Sequence, residues 1–436
     1  MRAKKYLESL DSIKIKFGLN RIKKVLSFLG NIQNNLNVIH IAGTNGKGST
    51  AFYIHNILKN AGFKAGLYLS PHLIKVNERI IINGRTITDN VFAEYIFKVK
   101  DIIEHLNIKL SYFEFLTVLS LIYFYDQKTD FAVMETGLGG RLDATNVFNR
   151  PLASVLTNIS FDHKEYLGKT LKSILNEKMY IFKKNVPIIT GVKQKRLWNI
   201  IQAKAELLKA PLAVLGRDFQ CKTILEPFKN SFKKNIKVIP RTVLYNMALA
   251  VKTIDILIQH KKIRLNGIDK ALIDLKMLPG RYEYISCMQN SLSTNILFDS
   301  AHNKAGIGEL LKYISSLQKT YKFRRKILIL GLLKDKDYKY IIKQCIKSFD
   351  EFYLIKPKTK RALCPHVLLE EFTRHDNSKK AKLLCYNIDE IPELLRQSCT
   401  NKDIVCAAGS FYIAGGVKKS LFKRRKRVFV KRKENG

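Results

Sequence analysis

Gly43-Thr44-Asn45-Gly46-Lys47-Gly48-Ser49 is the stretch on which the fold turns. It sits between a short apolar run, Asn37 to Ala42, and a helix-patterned segment in which Ala51, Ile54, Ile57, Leu58 and Ala61 share one face and Gly62 closes the run. A glycine-rich turn between strand and helix lets backbone N–H groups close on phosphate oxygens, and the helix N-terminus adds a favourable dipole. Lys47 would offset phosphate charge, and Ser49 would face a magnesium ion. The spacing departs from the common G-x-x-x-x-G-K-[ST] pattern: two residues separate Gly43 from Gly46, and Gly48 precedes Ser49. A bare strand-to-helix turn is the bland alternative. The lysine, the serine and the flanking elements favour ATP, held by Thr44, Asn45, Gly46, Lys47, Gly48 and Ser49.

The sequence on either side continues the alternation. Residues 1–36 read as helix and loop, with Leu19, Ile22, Val25, Leu26 and Leu29 at helical spacing and Gly30 ending the run. Ala65 to Leu69 is a further apolar strand, Phe113 to Tyr125 a strongly apolar helix, and Phe131 to Met134 and Ala153 to Leu156 buried strands. This predicts an α/β core with a mainly parallel sheet. A second alternation begins near residue 283. Asn295 to Phe298, Lys326 to Leu330, Glu351 to Ile355, Lys382 to Cys385 and Asp403 to Ala407 read as strands, with amphipathic segments between most of them. Turn residues in Leu278-Pro279-Gly280-Arg281 mark the join. The expected organisation is a first domain over 1–282, a second over 283–417 and a basic tail over 418–436.

Bulk composition narrows the class. A chain of 436 residues, 46% hydrophobic, can bury two cores. No run reaches the roughly 18–20 uninterrupted apolar residues of a membrane span. The basic start meets Glu8 and Asp11 rather than an apolar stretch, so we expect no signal peptide and a cytoplasmic protein. The seven cysteines include no C-x-x-C pair, which argues against a zinc site or a disulfide framework. The net charge is +41, and removing 418–436 still leaves +32, although that tail holds ten basic residues between Lys418 and Lys433. The excess would attract ATP and poly-acidic substrates. The lysines are not interleaved with aromatics as in a nucleic-acid module, so no specific nucleic-acid partner is expected.

Further motifs follow in order. These are Ser70-Pro71-His72-Leu73, Asn77-Glu78-Arg79-Ile80, Tyr112-Phe113-Glu114-Phe115, and Glu135-Thr136-Gly137-Leu138-Gly139-Gly140-Arg141-Leu142-Asp143-Ala144-Thr145-Asn146. Asp162-His163, Leu167-Gly168, Glu177-Lys178, Pro279-Gly280-Arg281, Asp299-Ser300-Ala301-His302-Asn303 and Gly409-Ser410 come after. With the glycine loop, this series resembles the folylpolyglutamate synthase / dihydrofolate synthase family of the Mur ligase superfamily, from about residue 10 to residue 415. The resemblance implies a central domain of phosphate-loop ATPase type and a smaller Rossmann-like C-terminal domain.

It also implies roles. Ser70, Glu135 and His163 would be metal ligands beside Ser49, for magnesium at two sites. A carboxylate at the end of an apolar strand suits a hard cation that keeps water and phosphate. Lys178 would be carbamylated and help hold the second ion; Lys47, Lys178 and His302 would serve the chemistry. Asn246, Arg281 and Asp299 match positions that contact ATP, and their separation in sequence suggests a nucleotide between the domains. His302 and Asn303 are assigned to the incoming glutamate. Ile15, Lys16 and Phe17 align near a pteroate site, although some dihydrofolate synthases carry an acidic residue where this chain has Lys16. Tyr112, Phe113, Glu114 and Phe115 would supply stacking and an acceptor, or else pack in the core. The implied reaction joins L-glutamate to dihydropteroate or a folate through an acyl phosphate, in a monomer with no membrane partner. A peptidoglycan-precursor ligase shares the loop and the chemistry, and a basic nucleotide-dependent nucleic-acid binder is the alternative from another class.

Overall fold

A computed structural model describes residues 2–11, 17–226, 238–260, 277–289, 292–375, 382–385 and 387–433. The expected substrate residues Ile15 and Lys16 lie outside them. The chain divides into two compact units, one of Met1–His72 with Val76–Lys276 and one of Leu73–Lys75 with Met277–Gly436.

The first unit is built on eight strands: β1 (Val38–Ala42), β2 (Ala65–Tyr68), β3 (Ile80–Ile82), β4 (Arg85–Thr86), β5 (Phe131–Glu135), β6 (Ala153–Leu156), β7 (Ile188–Thr190) and β8 (Leu212–Val214). Their spatial order is β4-β3-β2-β5-β1-β6-β7-β8. The strands from β2 to β8 in that order run parallel, while β3 and β4 turn back as an antiparallel edge. β1 therefore lies between two strands that follow it in sequence. That places a topological switch at its carboxyl end, where open α/β sheets form their crevice. β7 and β8 were not read from the sequence, because three-residue strands carry too few residues to show a period.

The helix Tyr112–Asp126 is apolar on every side and packs almost entirely inside this unit. Its start is fixed by a capping box: Ser111 Oγ accepts from the Glu114 N–H, and the Glu114 carboxylate accepts from the Ser111 N–H at 2.8 Å. The helix Arg241–Gln259 is long and apolar enough to cross a membrane by length and composition, but more than half of that stretch is buried in the protein.

The second unit carries a six-stranded sheet, ordered β13-β12-β11-β14-β10-β9. Its strands are β9 (Glu283–Gln289), β10 (Leu292–Phe298), β11 (Arg325–Leu330), β12 (Glu351–Leu354), β13 (Lys382–Cys385) and β14 (Asp403–Ala408). All pairings are parallel except the β9–β10 hairpin. At the amino ends of the central strands, Arg325 bridges Glu351 and Asp403 at 2.7 and 3.3 Å. The carboxyl ends of β10 and β14 are left for other chemistry. The expected start of the tail at 418 falls inside one continuous helix, Phe411–Lys433, anchored by the buried Ile413, Ala414 and Val417. Cys221, Cys345, Cys364, Cys399 and Cys406 are free thiols.

Candidate active site

Parallel pairing fixes the position of the first cluster. The registers Ile41↔Glu135 and Ala42↔Leu156 bring the ends of β5, β1 and β6 level. Glu135, the Gly43 loop and the segment Thr157-Asn158-Ile159-Ser160 therefore emerge side by side. The last of these holds the loop's shape. The Thr44 N–H donates to Asn158 O at 2.9 Å, the Asn45 N–H to Asn158 Oδ1 at 2.9 Å, and Thr157 Oγ1 to Asn45 O at 2.7 Å. Thr44 Oγ1 donates to Ser160 O and accepts from the Ser160 N–H, both at 3.1 Å. Sequence reasoning missed these three polar residues. Their one signal was a polar run directly after a buried strand.

Gly46 ends the loop with φ +84° and is the N-cap of the helix Lys47–Asn60, without a side-chain cap. The N–H groups of Lys47, Gly48 and Ser49 occupy the first turn and have no helical carbonyl to bond. Three such amides at a helix start make an anion site. A Cβ at Gly46 would strike the Asn246 side chain, and one at Gly43 would strike Thr157. The glycines thus permit both the turn and the close approach of Asn246, one of the expected nucleotide contacts.

Two lysines meet under the loop. Lys47 Nζ donates to Gly43 O at 3.1 Å and Thr44 O at 3.3 Å, and Lys178 Nζ donates to Gly43 O at 2.9 Å. Lys178 is buried, and burial first and the Lys47 charge second pull its pKa from 10.5 to about 7. Asp162 and Asp143 act in the opposite direction. The signature loop is packed against the helix that carries Lys178. A Cβ at Gly140 would meet the backbone of Glu177 and Lys178. Arg141 Nε pairs with Glu177 at 2.9 Å, and buried Asp143 accepts from the Leu138 N–H, the Thr145 N–H and the Thr145 hydroxyl.

Glu135 is buried, and its Oε2 accepts from the Ser70 N–H at 2.8 Å. Ser49 is buried at the helix start, and His163 is about one-third exposed with a left-handed backbone, φ 48°. Its Nε2 lies 3.9 Å from Asp162 Oδ1. No group of three or more His, Cys, Asp or Glu side chains among the described residues could hold a metal ion. The donors available are hydroxyls, one carboxylate and one imidazole. They fit a hard cation that completes its shell with phosphate and water.

The residues expected on the pterin side separate. Phe17 is exposed, with its ring 5.5 Å from that of Tyr166. Tyr112 is half-buried beneath the Arg79 guanidinium at 5.3 Å, and the Phe113 ring lies 5.9 Å from Tyr68. Glu114 is buried and engaged by Arg21 at 3.0 Å as well as by the capping box. Phe115 is wholly enclosed and packs on Tyr6. In this structure those two side chains serve the helix and the core. The S-x-x-E spacing of Ser111 and Glu114 was the available signal.

In the second unit, Asp299 follows β10 and is buried. Its Oδ1 and Oδ2 accept from the Ala301 and Tyr282 N–H groups at 2.7 and 2.9 Å. Burial raises its pKa and the Arg281 charge opposes this. The Arg281 guanidinium lies 4.4 Å over the Phe411 ring, a partner not foreseen from sequence. His302 Nδ1 is 2.8 Å from Ser300 O. Asn303 Oδ1 accepts from the Gly306 N–H at 2.8 Å and caps the helix Lys304–Tyr321.

Comparison with known proteins agrees with this geometry. The Mur ligase middle domain matches residues 41–253, and the Mur ligase glutamate ligase domain matches residues 280–411. The chain is 31% identical to a Schizosaccharomyces pombe protein named as a dihydrofolate synthetase, over 93% of this chain and 99% of that one. It is 33% identical to the dihydrofolate synthase/folylpolyglutamate synthase of Buchnera aphidicola subsp. Baizongia pistaciae, over 90% of this chain and 88% of that one. A crystal structure of a bifunctional folylpolyglutamate synthase/dihydrofolate synthase with Mn, AMPPNP and L-glutamate bound superposes with a TM-score of 0.78. It is 26% identical and covers 96% of this chain and 98% of that one. With the loop, the signature segment and the Asp299 cluster each in place, the chain belongs to the dihydrofolate synthase/folylpolyglutamate synthase family, the ATP-dependent glutamate ligases of Mur type.

Proposed function

We propose that this member joins L-glutamate to dihydropteroate, to a reduced folate, or to both, through an acyl phosphate. The observation that carries this is the loop at the end of β1. The first-turn amides of Lys47, Gly48 and Ser49 open the helix after it, Lys47 Nζ rests on the Gly43 and Thr44 carbonyls, and Glu135 ends the neighbouring strand. A carboxylate is a poor electrophile, and ATP converts it to an acyl phosphate. The amine of glutamate then attacks the acyl carbon, and phosphate leaves. The chain's own part is positioning and charge. The amides of Lys47, Gly48 and Ser49 hold phosphate oxygens. Lys47, released from the Gly43 and Thr44 carbonyls, offsets charge on the transferred phosphoryl group.

Ser49, Ser70, Glu135 and His163 would hold magnesium, which when bound supplies Lewis-acid stabilisation of phosphate charge. In the same reading Lys178 is carbamylated. A buried amine with a pKa near 7 is substantially neutral at physiological pH, and a neutral amine can take up CO2. We also propose a cytoplasmic monomer acting on small molecules. Lys47→Ala and Glu135→Ala should each abolish ADP release that depends on both acid and glutamate; near-normal turnover in either would refute the assignment. Parallel steady-state assays with dihydropteroate and tetrahydrofolate decide which acid is used.

A further inference from the structure

Arg79 is buried, 8% exposed, yet has no carboxylate partner among the described residues. Its Nε donates to His72 Nδ1 at 3.0 Å, so the acceptor is a neutral ring nitrogen. Its guanidinium lies over the Tyr112 ring, 5.3 Å from the centroid. Neither Nη group has a protein acceptor among the described residues. Asp143, whose charge like that of Arg79 acts on Tyr68, has its buried carboxylate taken up by donors of its own loop. The fork of an arginine with both Nη groups free of a protein acceptor matches a carboxylate.

The backbone around Arg79 is held firmly. Arg79 O accepts from the Leu69 N–H at 2.9 Å, directly before Ser70, whose own N–H meets Glu135. Asn77 Nδ2 ties the same turn to Ile87 O at 2.9 Å and Asp89 Oδ1 at 3.0 Å. The guanidinium is thus held at His72 and over the Tyr112 ring, on a turn whose backbone pairs with the residue directly before Ser70.

We infer that Arg79 receives a substrate carboxylate, that of the pteroyl acid to be activated. The Tyr112 ring beside a fixed guanidinium suits an acid borne on an aryl group. The inference rests on the ligase activity proposed above, and L-glutamate is the other source of the same chemistry. In Arg79→Gln, the KM for the pteroyl acid should rise about 10- to 100-fold, the worth of a charge-assisted hydrogen bond, with the KM for ATP unchanged. Arg79→Lys should recover part of the loss. A KM effect confined to L-glutamate would assign the same guanidinium to the amino acid's carboxylate. Unchanged KM values for both acids in a folded variant would overturn the inference.

A second measurement needs no variant. The wild-type protein, free of metal, should bind dihydropteroate more tightly than its carboxamide by a similar factor. Equal binding of the two would also overturn the role of Arg79. Wild-type protein that shows no ADP release dependent on acid and glutamate would instead refute the ligase activity, and the binding comparison would still decide Arg79.

Discussion

Lys47 and Lys178 direct their amines at the same oxygen, the Gly43 carbonyl, at 3.1 and 2.9 Å. One lysine belongs to the loop and the other comes from a helix, 135 residues after Gly43. Burial first, and the Lys47 charge second, make Lys178 lose its proton far more readily than a free lysine.

This gives a stability signature. The folded-state pKa of Lys178 is about 7, against 10.5 for the free side chain. Between these values the unfolded chain holds the extra proton, so rising pH favours the folded state, by at most about 1.4 kcal/mol per pH unit. Below about pH 7 both states are protonated and the full cost of the buried cation is present. Denaturant melts of wild type and Lys178→Met in CO2-free buffer should differ in slope between pH 7 and pH 10.5. Parallel profiles would mean that the amine is not depressed.

Lys178→Ala should lose most activity and regain part of it when short carboxylates such as acetate are added. Their charge would stand where the carbamate is proposed. Full activity in the unsupplemented variant would remove the carbamate from the mechanism.

Gly46→Ala should damage both fold and nucleotide binding. A side chain at φ +84° costs about 1–2 kcal/mol, and the new methyl would push Asn246 away. We expect a lower melting temperature and weaker ADP binding by calorimetry. Asn246→Ala should weaken binding with a smaller change in melting. Undiminished ADP affinity in both variants would detach Asn246 from the nucleotide.

Phe115→Ala should act on stability, at about 3–5 kcal/mol, because its ring is enclosed in the core. Tyr112→Ala, at a half-buried ring, should cost less stability. A Phe115 variant of native stability with a raised KM for the pteroyl acid would place that ring in the substrate site after all.

Local spacing settled a great deal by itself. The glycine loop, its strand and its helix follow from residues next to one another, as do the two alternations of strand and helix. The capping role of Glu114 was equally local, written in its distance from Ser111, yet its place beside three aromatic residues drew attention to ligands instead. Tertiary structure decided the rest, because it depends on which strands become neighbours. Only the parallel pairing of β1 with β5 and β6 sets Glu135 and Thr157–Ser160 beside the loop. Only the close fit of Gly140 to the Lys178 helix accompanies a buried amine beneath Gly43. A residue's charge state is set by the dielectric and the charges around it, and those are assembled from distant parts of the chain. The sequence therefore named Lys47 as a phosphate-loop lysine on its own, whereas the environment that makes Lys178 a lysine near neutrality exists only in the fold.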